Sequence, residues 1–575
     1  MNLIFYDFEV TKCDWLVVFI YGDFETWHRK VVCNDPATLS AFYDIHKNDL
    51  FIGYNNTSYD CYIFKAILLG INPYSVNNWI IQGGKGYQYD QRFYTIPMYN
   101  YDTMTNKMYG LKQLEAFMGN RIKETDVPFD IDRKMTLEEL KQTVEYCIHD
   151  VEQTIEVFMR RIDDFNAHIN IIKTFKLPFW SISKTKAQLV ALALGAEKQE
   201  HDDEWDIVPV DTLRLKKYKY VQDWFLDPMN HDYDVSYTTN VCGVPHQFGW
   251  GGLHGAPAHP IHRKGLLLHV DVTSYYPSLM IRYDLLSRNV EDKEIYKGIY
   301  DTRVKLKAEG KKAEQAPYKI ILNSTYGICK DKYNPMYDPR QASNVCINGQ
   351  LLLLDLLEHL EGHIELIQSN TDGLIIQIPD TDEAFDMVDD ICYEWERRTG
   401  MSLGFDVITE IWQKDVNNYI FRFENGKLER KGSYVKELNE LDYDLAIVNK
   451  AIVDYITAGI PIEDTINNCT VYRDFQKVVK VSGKYVCGFK DGKPLKDKTF
   501  RVFASKSNKD GQIGKMKNKN GKMVVEKFAN TPEHCFIENE DINDKPIPEK
   551  LDRIYYIKLA YKRLKSFGFD DERLL

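Results

Sequence analysis

Short apolar strand patterns that carry an aspartate occur at three places in this sequence, and they constrain the fold more than any other feature. They are LIFYDFEV (3–10), GLLLHVDV (265–272) and IQSNTDGLII (367–376). In the third segment, Asn and Gly between two apolar runs predict a β-hairpin whose tip faces a cleft. A carboxylate at that tip is either a turn residue or a metal ligand.

The length and composition of the chain indicate a soluble protein with several domains. Its 575 residues divide into about three or four domains of ordinary size. Hydrophobic residues make up 44% and charged residues 27%, and no apolar run is long enough to cross a bilayer. The first residues, MNLIFYDFEV, lack the basic segment of a signal peptide, so we expect a cytoplasmic protein without membrane association.

The cysteines and the distribution of charge narrow the choice of partners. The eleven cysteines are scattered singly, which supports neither a zinc site nor a disulfide framework. The net charge of −12 argues against general electrostatic binding of nucleic acid by the whole protein. Lys and Arg nevertheless dominate 473–527, including Lys480, Lys484, Lys490, Lys493, Lys496, Lys498, Arg501, Lys515, Lys517, Lys519 and Lys522. A local phosphate-binding surface is therefore favoured over a merely solvated lysine face.

Hydrophobic periodicity predicts that the first domain is α/β. Strand patterns occupy residues 1–26, and helical patterns follow at 36–49, 60–70, 111–118 and 137–164. Farther along the chain we expect a Gly/Pro loop at 248–260, a basic helical hairpin at 300–330, an apolar helix at 347–360, a hairpin at 364–378, and helices at 441–459, 462–468 and 549–566.

Four acids in the first domain can converge on one site. Asp7 and Glu9 alternate on a strand and so point to one face. Asp60 follows in GYNNTSYD, and Asp150 shares a helix face with Tyr146, four residues earlier. Four carboxylates suit a pair of Mg²⁺ or Mn²⁺ ions acting on a phosphodiester. A solvated sheet edge is the alternative for Asp7 and Glu9 taken alone.

The order of these residues resembles that of the DEDD family of 3′→5′ exonucleases, in its tyrosine subclass. The resemblance implies that the four acids bind the metals and that Tyr146 orients the attacking water. It also implies that Asn55 or Asn56, with Tyr59 and Thr11, holds the 3′ end. Lys123 matches a lysine near the scissile phosphate, with a solvated loop lysine as the alternative. His149 does not fit the histidine subclass, and we expect it on a helix surface.

Three further motifs occur in the middle of the chain. HVDVTSYYPSLM (269–280) places Asp271 at the end of a buried strand. YKIILNSTYG (318–327) places Lys319, Asn323 and Tyr326 on one helical face. The hairpin IQSNTDGLII adds Asp372. Taken singly, these motifs are explained by a helix cap, an amphipathic helix and a hairpin turn.

Taken together and in this order, the three motifs resemble motifs A, B and C of family B DNA polymerases of the phage type. The resemblance implies two-metal nucleotidyl transfer, with two Mg²⁺ or Mn²⁺ ions per active site held by Asp271 and Asp372, and with Val272 as a further metal contact. Lys319 would pair with the incoming triphosphate, with Arg303 and Lys307 as second candidates. Tyr276 matches the tyrosine that excludes a ribose 2′-hydroxyl, while Asn323 and Tyr326 would sit at the nascent base pair.

Three weaker matches concern contacts with DNA. In FGWGGLHGA, Gly251 and Gly252 resemble the family's template-contacting Y-x-G-G loop, although Gly249 occupies the tyrosine's position; a plain turn is the alternative. In KDVNNYIF, Tyr419 matches the family's K-x-Y element, whose lysine is here Asn417. Lys431 resembles a second lysine-glycine element, with a surface lysine as the alternative. In the family's D-T-D the second acid is the direct ligand, so Asn370 replaces the dispensable one.

The resemblance implies an α/β and α+β multidomain fold, with an RNase H-like exonuclease followed by a right-hand polymerase. The expected segments are an exonuclease domain (1–165), a connecting region (166–235), a first palm part (236–295), short fingers (296–335), a second palm part (336–434), and a thumb with a basic C-terminal region (435–575). The interval from Asp271 to Lys319 leaves no room for the insertion that docks the terminal protein in protein-primed members. We therefore expect priming from a nucleic-acid 3′ end.

The expected partners are primer-template DNA, dNTPs and accessory proteins of a phage replisome, and a monomer is expected in the cytosol of a bacterial host. Two other functions remain open at this point: a stand-alone 3′→5′ exonuclease with a degenerate second half, and a non-catalytic nucleic-acid-binding relative of a polymerase.

Overall fold

Helices and sheets form two compact units in the computed structural model, which describes residues 1–23, 25–104, 109–128 and 130–569. The first unit comprises residues 1–183, 438–448 and 463–557. The second comprises 184–437, 449–462 and the described residues after 557. The expected mixed α/β, multidomain class is confirmed. Residues 463–557, which the sequence analysis assigns to the thumb and basic region, pack in the first unit.

A five-stranded sheet forms the centre of the first unit. Its strands are β1 (Leu3–Val10), β2 (Trp15–Gly22), β3 (Trp27–Cys33), β4 (Leu50–Gly53) and β5 (Tyr99–Asp102). Their order is β3-β2-β1-β4-β5, with β1, β4 and β5 parallel and β1, β2 and β3 antiparallel. Tyr6 and Phe8 lie in an aromatic core on one face of β1. The pleat therefore places Asp7 and Glu9 on the opposite face.

Helices cover this sheet. They are α1 (Pro36–His46), α2 (Asp60–Leu68), α3 (Pro73–Ile81), α4 (Gly86–Tyr89), α5 (Leu111–Met118), α6 (Leu137–Arg160) and α7 (Ile162–Thr174). Helix α6 begins with a capping box, in which the Thr136 hydroxyl accepts from the Glu139 amide and the Glu139 carboxylate accepts from the Thr136 amide. Because α6 packs on β1 and β2, its inner face is directed at the acids of β1.

A nine-stranded antiparallel sheet forms the centre of the second unit. Two helices precede it, α8 (Lys186–Ala193) and α9 (Lys219–Leu226). The elements that follow are β6 (Ser236–Val241), β7 (Val244–Gly249), β8 (Gly252–Gly255), β9 (Ile261–Val272), α10 (Tyr275–Arg282), α11 (Glu294–Ala308), α12 (Lys312–Cys329), α13 (Pro339–Leu360), β10 (Glu365–Asn370), β11 (Gly373–Gln377), α14 (Asp382–Thr399), β12 (Leu403–Asp415), β13 (Asn418–Phe423) and β14 (Leu428–Lys431). The strand order is β14-β13-β12-β9-β11-β10-β8-β7-β6.

The sequence prediction of this region is confirmed for the helical hairpin, the apolar helix and the acidic hairpin, and it is wrong for 248–260. That segment begins as a hairpin of β7 and β8, not as a loop. Phe248 pairs with Leu253 across the hairpin, and both side chains are fully buried. Burial of this apolar pair favours the strand conformation despite the neighbouring glycines.

The last third of the chain contributes three helices and two small sheets. The helices are α15 (Ala446–Ala458), α16 (Ile462–Asn468) and α17 (Arg553–Lys565). The strands are β15 (Lys477–Lys480), β16 (Cys487–Lys490), β17 (Lys493–Leu495), β18 (Thr499–Ala504), β19 (Gly514–Lys519), β20 (Lys522–Lys527) and β21 (Cys535–Ile537). They form the sheets β15-β18-β21 and β17-β16-β19-β20. Helix α15 begins later than expected because Leu445 has a φ of 53°, outside the helical region.

Hydrogen bonds of Arg501 join β18 to the segment around α5. Its side chain is fully buried, and its Nη2 donates to the carbonyls of Asn120 (2.7 Å) and Ala116 (3.1 Å). Its Nη1 donates to the carbonyls of Glu538 and Glu540. Arg501 therefore cannot belong to the basic surface to which its position in 473–527 assigned it.

Two further findings concern the cysteines and the lengths of the helices. All eleven cysteines are free thiols, as their single, scattered positions predict. No helix in the described part of the chain is both long and apolar enough to span a bilayer.

Candidate functional site

Three of the four N-terminal acids meet on the face of β1 that α6 covers. Asp7 and Glu9 point to this face, and Asp60 is the first residue of α2. The Oδ1 atom of Asp60 accepts a hydrogen bond of 3.0 Å from the amide of Phe8, between the two acids. Glu9 and Asp60 are buried. We refer to Asp7, Glu9, Asp60 and Asp150 as the N-terminal acid cluster.

Helix α6 supplies the fourth acid and the tyrosine. Asp150 and Tyr146 lie one turn apart on its buried face. The ammonium of Lys112, on α5, contacts Asp150 Oδ1 and lies 4.7 Å from the centre of the Tyr146 ring. Cys147, also on α6, lies with its Sγ 3.3 Å from the Asp7 carbonyl oxygen and 3.7 Å from Asp7 Oδ2.

Burial and the short distances between these acids raise their pKa values. Burial, followed by the charges of Asp60, Glu9 and Asp150, raises the pKa of Asp7 well above its usual value. Burial and the charges of Asp150 and Asp60 do the same to the pKa of Glu9. Burial raises the pKa of Asp60 to about 7 and also raises that of Asp150, where Lys112 opposes the shift. A bound cation would relieve this repulsion.

The cluster has the geometry to hold a metal ion. Ligand atoms of Asp7, Glu9 and Cys147 lie within 4.8 Å of one another, as do those of Glu115, His149 and Asp150. In the second group, however, Lys112 Nζ lies 3.0 Å from Glu115 Oε1 and already compensates charge. The carboxylate oxygens of the N-terminal acid cluster fit a hard cation such as Mg²⁺ or Mn²⁺ better than a soft one.

The residues expected to hold a DNA end occupy different surroundings. Tyr59 lines a cavity of about 430 Å³ together with Glu9, and its hydroxyl donates to Asn77 (2.8 Å). Asn55 is exposed, whereas Asn56 is fully buried and donates from Nδ2 to the side-chain Oδ1 of Asn100 and to the backbone carbonyl of Tyr101. The side-chain amide of Asn56 is therefore engaged inside the protein, and Asn55 is the more accessible of the two asparagines.

Two other expected residues are engaged locally. Thr11 is buried and donates from Oγ1 to the carbonyl of Asp14, which closes the turn between β1 and β2. Lys123 Nζ donates to the carbonyl of Glu145 (3.2 Å), one residue before Tyr146. Lys123 thus lies against α6, and its ammonium is held by the backbone.

Three residues of this site were not identified from the sequence, and one was misplaced. Lys112, Glu115 and Cys147 were missed; the spacing of Cys147 and Asp150, three residues apart on one helix, was the available signal. His149 is not a free surface residue, because its Nε2 lies 3.3 Å from Oε2 of the buried Glu115. The contact was invisible in the sequence because Glu115 is 34 residues away.

A second pair of acids lies at adjacent positions in the nine-stranded sheet. Asp271 is next to the last residue of β9, and Asp372 lies in the turn between β10 and β11. Gly373 pairs with Asp271, and the amide of Val272 donates to the carbonyl of Asp372 (2.9 Å). A Cβ at Gly373 would lie 3.0 Å from the Val270 carbonyl oxygen, so glycine permits this close approach. We call Asp271 and Asp372 the sheet acid pair.

Residues from all three central motifs line one cavity of about 360 Å³ at the sheet acid pair. Besides the acids, its lining includes Val272, Tyr276, Arg303, Asn323 and Tyr326. The rings of Tyr276 and Tyr326 are 4.5 Å apart, and Arg303 Nη1 donates to the hydroxyl of Ser274 (2.5 Å). Segments separated by up to about a hundred residues in the sequence therefore converge here.

The sheet acid pair is also electrostatically coupled. Burial and the charge of Asp372 raise the pKa of Asp271 to about 6, with Asp406 as a further contributor and Lys307 as an opposing one. Burial raises the pKa of Asp372, opposed by its own backbone amide, His269 and Lys431. Asp406 and His269 pair across β12 and β9 and were not identified from the sequence. Alternation on β9 places His269 on the same face as Asp271.

The remaining predicted residues surround this cavity at different distances. Lys319 is exposed and lies one helical turn before Asn323. Gly251 lies in the turn of the β7–β8 hairpin, and Gly252 is the first residue of β8, where an added Cβ would lie 3.5 Å from Thr371 Oγ1. Tyr419 is buried and stacks on Phe421 with ring centres 4.0 Å apart.

Lys431 and Asn370 complete this set. The ammonium of Lys431 lies 5.8 Å from the centre of the Tyr419 ring, because the two residues pair across β13 and β14. Asn370 Oδ1 lies 3.1 Å from His254 Nδ1, on the neighbouring strand β8. Asn370 is therefore held by a strand contact.

Comparison with known proteins gives no relative from which a role can be transferred, since no protein-family model and no curated protein matches the chain.

Proposed function

We propose that this chain is a template-directed DNA polymerase of the family B type, which adds dNTPs to a primer 3′ end and carries a 3′→5′ proofreading exonuclease. The observation that carries the proposal is the convergence of Asp271, Asn323, Tyr326 and Asp372 in one cavity. Their order along the chain matches motifs A, B and C, and their meeting at one place is what a nucleotidyl-transfer site requires.

The first unit supports the exonuclease part of the proposal. Its strand order is β3-β2-β1-β4-β5, in which β1 is antiparallel to β2 on one side and parallel to β4 on the other. This arrangement fits an RNase H-like sheet. The four acids and Tyr146 lie where α6 packs against β1. In this role the carboxylates bind two metal ions, and the Tyr146 hydroxyl orients the water that attacks the terminal phosphodiester.

In the second unit, the antiparallel sheet serves as the palm, and α11 with α12 as the fingers. The sheet acid pair, with the Val272 carbonyl, would hold two Mg²⁺ or Mn²⁺ ions, which would supply charge neutralisation for the triphosphate. Arg303 is placed in the cavity and contributes a fork of N–H donors to phosphate. Lys319 and Lys307 extend this positive surface along the helices, and Tyr276 restricts the space at the sugar.

The elements between the motifs bear on the mode of priming. Between Asp271 and Lys319 the chain forms α10, α11 and the start of α12, and between Tyr326 and Asp372 it forms the end of α12, then α13 and β10. This supports priming from a nucleic-acid 3′ end. The basic C-terminal region would bind DNA phosphates, with an affinity that falls as salt increases. A phage replisome in a bacterial cytosol is the setting that the resemblance implies.

A labelled primer-template tests the proposal, because incubation with Mg²⁺ with and without dNTPs reports extension and degradation together. We expect extension by the wild type and its loss in Asp271→Asn. We expect degradation without dNTPs and its loss in the double variant Asp7→Ala/Glu9→Ala, which should still extend.

Three outcomes separate the alternatives. Extension that is absent from the wild type, with Asp271→Asn behaving identically, refutes the polymerase. If degradation remains under those conditions, the chain acts as a stand-alone exonuclease. If binding to the primer-template is the only activity, the chain is a non-catalytic relative.

A further inference from the structure

A cleft of about 510 Å³ in the first unit connects the N-terminal acid cluster with the basic C-terminal segment. Tyr146, Asp150 and Lys112 line it on the side of the acid cluster. Lys480, Lys496 and Lys498 line it on the other side. Cationic side chains more than 300 residues away in the sequence are therefore next to the site proposed to degrade DNA.

The backbone that carries two of these lysines is fixed to the N-terminal segment. Glu124 Oε1 accepts hydrogen bonds from the amides of Lys498 (2.8 Å) and Thr499 (2.9 Å). Two residues farther along β18, the buried Arg501 holds the carbonyls of Ala116 and Asn120. The wall of the cleft is thus part of the first unit's folded core.

The charges in the cleft leave two ammonium groups uncompensated. Lys112 contacts Asp150 and Glu115, and Lys496 contacts Asp126. Within the described residues, Lys480 and Lys498 have no ion-pair partner, and both are exposed. Glu124, the remaining acid of the lining, is occupied by the two backbone amides. Burial also raises the pKa of Glu124, and the two backbone hydrogen bonds oppose this shift.

The space on the other side of the acid cluster has a different character. The 430 Å³ cavity at Glu9 is lined by Tyr59, Tyr74, Asn77 and Asn78, among others, and contains no lysine or arginine. Aromatic rings and amides suit a nucleoside, whereas free ammonium groups suit phosphates. A strand bound in both cavities would have its terminal nucleoside at Tyr59 and its remaining phosphates at the lysines.

We infer that Lys480 and Lys498 bind backbone phosphates of the single-stranded DNA whose 3′ end lies at the N-terminal acid cluster. The basic C-terminal segment would thereby bind the single strand that enters the exonuclease site, in addition to any contact with duplex DNA. This inference rests on the proposed exonuclease activity.

The test compares two substrates in the full-length double variant Lys480→Gln/Lys498→Gln. A single-stranded 12-mer reaches the lysines, whereas the dinucleoside monophosphate TpT carries only the scissile phosphate. We expect kcat/KM for the 12-mer to fall about tenfold, mainly through KM, and the slope of its logarithm against log salt to become shallower by about 1.4, for two lost phosphate contacts. TpT hydrolysis should stay within about twofold of the wild type.

The matched control is Lys47→Gln/Lys173→Gln, which removes the same charge from exposed positions of the first unit that do not line either cavity. It should behave as the wild type on both substrates. An unchanged rate on the 12-mer in the cleft variant, or an equal loss on both substrates, overturns the inference while leaving the exonuclease in place. A wild type that degrades neither substrate refutes the exonuclease and the inference with it.

Discussion

Asp372 and Asn370 stand on either side of Thr371 in one hairpin turn, but their surroundings differ. Asp372 lines the cavity of the sheet acid pair, and burial raises its pKa. Asn370 instead faces His254 across the strand pairing of β10 and β8. A carboxylate at position 370 would keep an acceptor for His254 and add a negative charge near the proposed metals.

These surroundings predict that exchanging Asn for Asp at position 370 and Asp for Asn at position 372 affects primer extension differently. Asn370→Asp should retain primer extension, with an altered preference between Mg²⁺ and Mn²⁺. Asp372→Asn should lower extension by about a hundredfold to a thousandfold, because it removes charge that acts on the transition state. Steady-state extension rates in each metal measure both effects. Equal activity in the two variants would show that the turn has only a structural role.

His246 is a buried group whose titration opposes folding at low pH. Its side chain is 1% exposed, and burial lowers its pKa to about 4. Its Nε2 lies 2.6 Å from Ser369 Oγ and its Nδ1 2.8 Å from the Val244 carbonyl oxygen. Both contacts lie within the second unit: the Ser369 contact joins β7 to β10, and the Val244 contact lies within β7.

This arrangement predicts a pH-dependent stability. Between the unfolded pKa of about 6.5 and the folded value, the unfolded state binds more protons, so the free energy of unfolding falls as the pH decreases, by up to about 3 kcal/mol. The contribution is complete above the unfolded pKa. His246→Gln keeps a donor and an acceptor without titrating, so its urea unfolding should lose less stability between pH 7.5 and 4.5. The same loss in both proteins would contradict the prediction.

The sequence predicts single residues well where the periodicity of one element determines them, and poorly where a distant segment does. Alternation on β1 correctly places Asp7 and Glu9 on one face. The contact between Lys112 and Asp150 joins residues 38 positions apart, so no local pattern reveals it. Asn56 was offered as a ligand of DNA because neither of two adjacent asparagines could be oriented from the sequence.

At the scale of elements, β18 depends on one buried arginine. Arg501 donates to carbonyl oxygens of Ala116, Asn120, Glu538 and Glu540. Burial lowers its pKa to about 10, so the guanidinium still remains charged at neutral pH. Its hydrogen bonds thus join β18, α5 and the segment after β21.

Arg501→Met should therefore destabilise the protein by about 3 kcal/mol or more, because it leaves several buried carbonyl oxygens without donors. Urea unfolding at pH 7.5 measures the loss. Lys493→Met, at an exposed position of β17, removes the same charge and should change stability by less than about 0.5 kcal/mol. Similar stabilities of the two variants would show that the carbonyls find other donors.

Most elements were predictable because their patterns are amphipathic over whole helices or strands. Helix α5 has the predicted bounds, 111–118, and α1, α2 and α6 begin at the predicted residues. The β7–β8 hairpin was mistaken for a loop because Gly251 and Gly252 suggested flexibility, whereas the buried Phe248–Leu253 pair fixes it. A cross-strand pairing of this kind depends on tertiary packing, which the strand propensities of single residues do not predict.

At the scale of the molecule, the first unit is assembled from separate stretches of chain. Phe117 and Met118 on α5 share a core with Val478, and Leu441 and Tyr443 pack against it. Position along the sequence therefore does not define this unit. The sequence analysis placed these stretches in different domains, because hydrophobic patterns report which faces are buried but not which segments cover them.

A fragment that ends at Ser183 should consequently expose the apolar face of α5. We expect it to bind the hydrophobic dye ANS and to unfold at a lower urea concentration than the full chain, because Leu441, Tyr443 and Val478 are missing. Dye fluorescence and urea titration followed by circular dichroism measure these effects. A monomeric fragment with cooperative unfolding and no dye binding would contradict the prediction.

The core shared by α5 and Val478 also bears on synthesis in the cell. A ribosome adding about 5–20 residues per second needs roughly 15–60 s to proceed from residue 183 to the segment that covers α5. During that interval the part of the apolar face of α5 that packs against Leu441, Tyr443 and Val478 is uncovered. A nascent chain of this protein is therefore a natural client for chaperones, and its yield should depend on translation speed more than that of a protein built from consecutive domains.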